Sequence, residues 1–178
     1  MARPSKRQSI LHAAAAIAGR DGVAAVTLDA VAAEAGVSKG GLLYHFPTKN
    51  ALIAAVQLDV IMRFERTVFQ RAADDPRPAA LAHAYVDATF FDDFHPELLH
   101  ALLEAPDLAA ERVHHVIGLL DDWEKRLVEA GLDAGTAAII RHACDGWWLT
   151  TRLRSRGGRD SGAALRHRLH DVIEEVMS

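Results

Sequence analysis

Residues 27–52 read TLDAVAAEAGVSKGGLLYHFPTKNAL. Two short apolar-periodic segments flank a tight Ala35-Gly36-Val37-Ser38 corner, and Ser38 is placed to cap the segment that follows. That is the grammar of a helix-turn-helix, whose second helix enters the major groove of DNA. Gly36 suits the left-handed backbone at a helix end, where a side chain would clash. Val37 is positioned to tuck between the two helices, and Ala32 and Ala35 let them approach closely. Gly40 and Gly41 each cost a helix roughly 0.5–1 kcal/mol relative to alanine. Either the helix frays there, or bare backbone must lie against DNA. Tyr44 and His45 follow, both able to donate to phosphate, and Lys49 opens the next segment.

Outward from this stretch the chain reads as all-α. Strand-like alternation is absent, and alanine, leucine, glutamate and arginine dominate between glycine and proline punctuation. A first helix is expected from Ser5, with Gln8 reaching back as in a capping box, and with Ile10, Leu11, Ala14, Ile17 and Ala18 as its buried face. The second helix runs from about Thr27 to Glu34. The third, from Ser38 to about Phe46, is stopped by Pro47. A long fourth helix follows to about Ala73, and Pro76 and Pro78 lead into a fifth ending near Phe94. Pro96 opens a short helix to Glu104, and Pro106 opens another to Ala130, ended by Gly131. Asp133 caps an eighth to about Ser155, and the ninth spans Ser161 to Met177. The expected organisation is a three-helix head at 1–50 and a six-helix body at 51–178, with the long fourth helix shared between them.

Charge divides the chain in the same way. Residues 1–50 carry six basic and three acidic side chains, a net +3, and the rest carry fourteen and twenty-one, a net −7. A positive head on an acidic body is expected where only the head meets phosphate. The Arg3, Lys6 and Arg7 tail either lies along a groove or is disordered. A single cysteine, Cys144, excludes an internal disulfide framework and suits a reducing compartment. The opening MARPSKRQSI lacks a signal peptide's apolar core. No apolar run approaches the ~20 residues that span a bilayer. The expectation is a soluble cytoplasmic protein with no membrane partner.

The head resembles the DNA-binding domain of the tetracycline-repressor (TetR) family of bacterial transcriptional regulators. The residues that carry the likeness are the Thr27-led second helix, the Ala35-Gly36-Val37-Ser38 corner, and Gly41-Leu42-Leu43-Tyr44-His45-Phe46 followed by Lys49 and Leu52. The resemblance covers about the first 55 residues, and the body resembles the family only in helix number, length and order. It implies a homodimer on a palindromic double-stranded operator, a repressor released when a small molecule enters the body. It also implies duplex contacts at Thr27, Lys39, Gly40, Tyr44, His45 and Lys49. Thr27, Tyr44, His45 and Lys49 would position on phosphate, while Lys39 and the glycine backbone would face base edges. This recognition helix has few long polar side chains, so DNA shape is expected to carry part of the specificity.

The body must supply a partner surface and a pocket. Leu165, Leu169, Val172, Ile173 and Val176 form an apolar stripe on the last helix, too wide for an exposed face. They either meet a symmetry mate, as the resemblance implies, or close the monomer's own core. Nine of eleven aromatic residues lie beyond residue 60. The candidate lining for a mostly apolar effector is Phe90, Phe94, His95, His114, Asp145 and Trp147. Asp145 lies in an apolar run, so it either pairs with Arg141 one turn back or addresses the ligand.

The histidines show no His-Glu-x-x-His or Cys-x-x-Cys spacing, so no metal site or cofactor is expected. His167 and His170 share a face, but Asp171 and Glu174 nearby point that face to solvent. Catalysis is not expected either: there is no nucleophile elbow, no phosphate-binding glycine loop and no strand to carry a dinucleotide fold. His142 and Cys144, two apart on a helix, do not face each other. The alternative function is a DNA-binding architectural or adaptor protein whose body holds a protein partner.

Overall fold

The computed structural model describes residues 5–90, 118, 122–151 and 159–178, and among these no strand occurs. The helices are α1 (Lys6–Asp21), α2 (Leu28–Glu34), α3 (Lys39–His45), α4 (Lys49–Asp74) and α5 (Ala80–Phe90), with a short 3-10 turn at Val23–Ala25. After them come α6 (122–129), α7 (Ala134–Thr151) and α8 (Arg159–Met177). The helices expected at 96–104 and over 106–117 lie outside the described residues. The chain divides into two compact units, and the division falls inside α4, between Ile61 and Met62.

In the first unit, the helix starts follow one chemical rule. Ser5, Thr27, Ser38 and Thr48 each accept a hydrogen bond from the backbone N–H three residues on, at 3.1–3.2 Å. Each cap satisfies a donor the helix itself cannot pair. The capping box expected at Ser5 is only half made. The Gln8 side chain turns away and donates to Asp59 Oδ1 at 3.0 Å. Gly22 (φ +85) ends α1, and Gly36 (φ +63) makes the corner between α2 and α3. Ile10, Leu11, Val31, Leu42 and Leu52 are each 2% exposed or less, so one apolar centre holds the three-helix head and the start of α4.

The second unit has its own core. Phe64, Tyr85, Trp123 and Trp148 meet there, with Phe64 edge-on to the other three rings at 5.1–5.7 Å. α7 buries Ala137, Ile140, Cys144 and Trp148, a helical stripe, and α8 contributes Leu169 and Ile173. α5 packs on α7 and α8 and is apolar nearly all round, as a helix enclosed by neighbours must be. Asp133 caps α7, bonding the N–H groups of Gly135 and Thr136 and the Thr136 hydroxyl.

Candidate nucleic-acid interface

The corner delivers α3 with one face buried and one bare. Leu42 and Phe46, one turn apart, are buried, while Ser38, Lys39, Gly40, Leu43 and Tyr44 are exposed, Tyr44 at 84%. The glycines do not fray the helix: α3 starts at Lys39, and Gly41 donates its N–H to the Ser38 cap. They differ in what they permit. A Cβ on Gly41 would stand 3.2 Å from Ser38 Oγ and press on the cap, whereas a Cβ on Gly40 would meet nothing within 4 Å. Among the described residues, none calls for a glycine at 40.

Thr27, through the α2 cap, also lies exposed, and Lys49 begins α4 behind the Thr48 cap. The Tyr44 and His45 rings meet edge to face at 5.2 Å. Arg7 stands in the first turn of α1, its guanidinium 5.4 Å from the centre of the Phe46 ring. Lys39 carries a partner that sequence reading missed. Its ammonium lies 2.8 Å and 3.1 Å from the two carboxylate oxygens of Asp29 on α2. The sequence offers no local signal for this pair, since ten positions separate the two residues.

The model of bacterial regulatory proteins of the tetR family matches residues 10–56, and that of the tetracyclin repressor-like C-terminal domain matches residues 79–174. The chain belongs to the TetR family. Like its relatives, it is a DNA-binding transcriptional regulator by fold, with a helix-turn-helix head and a helical body. A TetR-family member from Streptomyces coelicolor A3 superposes with a TM-score of 0.73 at 27% identity, over 95% of this chain and 98% of that one. The multidrug binding protein EbrR complexed with malachite green gives 0.68 at 26% identity, over 95% and 98%. The fatty acid degradation regulator FadR from Bacillus halodurans, at 14% identity over 91% and 96%, shares the fold with a TM-score of 0.67. No curated protein matches the sequence.

In the body of this TetR-family chain, the expected pocket residues separate. Phe94, His95 and His114 lie outside the described residues. Phe90 and Trp147 come together, rings 5.1 Å apart and both half-buried. The far edge of Trp147 rests on Gly162 of α8, where an added Cβ would fall 2.6 Å from the ring. Asp145 faces Arg141 at 3.5 Å, and Arg141 also faces Glu124 at 3.4 Å.

The stripe on α8 splits as well. Leu169 and Ile173, at 3% and 0% exposed, belong to the protomer's own core, and Leu165 packs against it. Val172 is half-buried and Val176 is 44% exposed.

One body cluster contradicts the expectation of a solvent-facing His170. Its Nε2 meets Asp87 Oδ1 at 2.8 Å, and its Nδ1 meets Nδ1 of His83 at 2.6 Å, the two rings stacked within 17°. Arg166 donates to the same Asp87 oxygen at 2.8 Å, and only His167 turns outward. Burial and the nearby Arg77 push the His83 pKa down. Burial pushes Asp87 up, but the hydrogen bonds from His170 and Arg166 outweigh it, and the carboxyl stays below its ordinary range. The signal lay in two i,i+4 pairs, His83 with Asp87 and Arg166 with His170, each on a mainly apolar helix face. Among the described residues no three His, Cys, Asp or Glu side chains gather to hold a metal ion. Burial pushes the Cys144 thiol up to about 12, far from a reactive thiolate, while His142 points outward to the Ala138 carbonyl. No described helix is long and apolar enough to cross a membrane.

Proposed function

We propose that this protein is a cytoplasmic repressor that binds a palindromic operator as a homodimer and is released by a small, mostly apolar molecule. The observation that carries the reading is α3, anchored by Leu42 and Phe46 and presenting Lys39, bare Gly40 and Tyr44 outward. Thr27, Tyr44, His45 and Lys49 hold phosphates. Lys39 and the backbone at Ser38, Gly40 and Gly41 face base edges.

The partner surface is the outer side of α7. Gly135, Ile139, His142 and Gly146 are exposed there at helical spacing, with Ile139 at 60%, and Val176 adds an apolar residue from α8. Small residues admit a close helix approach, and an isologous contact uses each of them twice. The effector lies against Phe90 and Trp147, with Asp145 and the more distant Phe94, His95 and His114 as further candidates. EbrR structures hold malachite green and ethidium, which supports an aromatic molecule for this body. Release requires that the effector prefer the DNA-incompetent state, since equal affinity for both states shifts nothing. α4 is the covalent link, with Lys49 at its start and Phe64 and Phe69 in the body unit.

Anisotropy of a labelled duplex, selected from a random pool, tests each part. Lys49→Ala is expected to weaken binding to every sequence and to lower the salt slope by about one. Malachite green is expected to displace the wild type but not Trp147→Ala, which keeps its duplex affinity. Ile139→Glu is expected to sediment as a monomer with an unchanged circular-dichroism spectrum. Unmoved affinity and slope in Lys49→Ala would defeat the docking, and a wild-type monomer at micromolar concentration would defeat the dimer.

A further inference from the structure

The carboxylate of Asp29 stands on the surface that the proposed function gives to a polyanion. Its side chain is 71% exposed and that of Lys39 59%, so neither charge is hidden in the protein. A carboxylate there repels phosphate whatever the sequence, and it cancels the one long cationic side chain on α3. Such an arrangement weakens indiscriminate binding, and specificity commonly contains a repulsive element of this kind.

The pair also has a shape. Nζ of Lys39 and the Asp29 oxygens, 2.8 Å and 3.1 Å apart, present a donor beside an acceptor. In the major groove a G·C pair presents N7 and O6 of guanine as acceptors, with the N4 amino group of cytosine as a donor beside O6. Guanine O6 and cytosine N4 are themselves hydrogen-bonded at roughly 3 Å, so their spacing matches that of the protein pair. Nζ can then sit on N7 and O6 while a carboxylate oxygen accepts from N4. An A·T pair offers Nζ only N7, and it places thymine O4 beyond the adenine amino group, acceptor against carboxylate.

Resting on the DNA-binding reading above, we propose that Lys39 and Asp29 read one G·C pair in each half-site as a unit, with Asp29 as a specificity-determining residue. Lys39 leaves the carboxylate only partly when it binds. A site lacking that base pair leaves the Asp29 carboxylate facing DNA with no base donor to accept from.

Selection of duplexes from a randomised pool, by the full-length wild type and by Asp29→Asn, Asp29→Ala and Lys39→Ala, tests this. The wild type is expected to enrich one G·C pair per half-site. Both Asp29 variants are expected to lose that preference by about tenfold, the usual cost of one mismatched pair, while the rest of the motif stands. They are also expected to bind unselected duplex more tightly than the wild type, whereas Lys39→Ala loses the same pair and binds unselected duplex less tightly. Circular dichroism confirms that each variant is folded, and two substitutions at 29 guard against one failing. A motif unchanged in both Asp29 variants, or an A·T pair enriched at the affected position, overturns the inference and leaves the DNA-binding reading standing. If the wild type enriches no duplex at all, the DNA-binding reading itself falls.

Discussion

The α-helix starts of the head are fixed by local polar contacts, while the body is also tied by polar contacts that span long stretches of chain. Every helix start in the head is fixed by a hydroxyl bonding a backbone N–H three residues away, at Ser5, Thr27, Ser38 and Thr48. In the body, Trp148 reaches Thr89 across 59 positions, Arg126 reaches Glu65 across 61, and His170 reaches His83 across 87. Local caps form as soon as their own helix forms, and the sequence states them directly. Contacts of the second kind exist only once α5 has closed on α7 and α8, and α6 on α4, so they report the tertiary fold of the body. The helix starts of the head are therefore specified piece by piece, and these ties of the body only with its whole fold.

The strongest attempt to break this contrast is Asp87→Ala. It removes the acceptor shared by Arg166 and His170 and leaves two donors facing each other beside His83. Breaking a fully buried charged pair costs several kcal/mol. With the Arg166 side chain 41% exposed, the expected loss is smaller, about 2 kcal/mol. Urea unfolding followed by tryptophan fluorescence reports on this body, since Trp123, Trp147 and Trp148 all lie in it. A midpoint unmoved by Asp87→Ala would mean that the long-range chain decorates the body without holding it.

Ser38→Ala probes the other side at a smaller scale. Losing a serine cap costs about 1 kcal/mol, and Ser38→Gly is expected to cost only a few tenths. Amide exchange should quicken in α3 alone, with body amides unchanged, because a local cap answers only for its own helix. Quickening that spreads evenly through the body would erase the distinction between the two regions.

How far each region was legible follows from the same contrast. The corner, its left-handed Gly36 and the caps at Ser5, Thr27 and Ser38 are all written within four residues of where they act. The stop at Pro47 and the end of α6 at Gly131 (φ +108) are equally local. Where a side chain had a second, distant choice, local reading failed. Gln8 bonds Asp59 rather than its own cap. Asp171 and Glu174, which flank His170, point it to solvent in the sequence. One helical step carries it to the other side, where Asp87 waits 83 positions upstream. Apolar periodicity told that the α8 stripe is buried but not by what, and Leu169 and Ile173 turn out to face their own protomer.

The smallest expected effect is one of pH, and it sharpens the comparison because it belongs to the body alone. His83 is buried against α8. It faces Arg77 and His170, which oppose its protonation, and Asp75 and Glu174, which favour it, while desolvation is the largest influence and lowers its pKa. Asp75 adds less than its charge suggests, since Arg77 already holds that carboxyl down at about 2. The folded state thus prefers neutral His83 more than the unfolded chain does, whose histidine titrates near ~6.5. Between the lowered folded pKa and that value, the unfolded chain binds more protons, and stability rises with pH. The contribution of His83 is fully present above about pH 6.5 and is lost as the pH falls below it. Asp87 and Asp75, both lowered, lose their contributions only below the ordinary carboxylate range near 4, so they do not bear on a change made between pH 7.5 and 5.5. Urea midpoints measured at pH 7.5 and 5.5 should therefore fall for the wild type and fall less for His83→Gln. A midpoint that falls as much in His83→Gln as in the wild type would show that burial of His83 does not oppose its protonation.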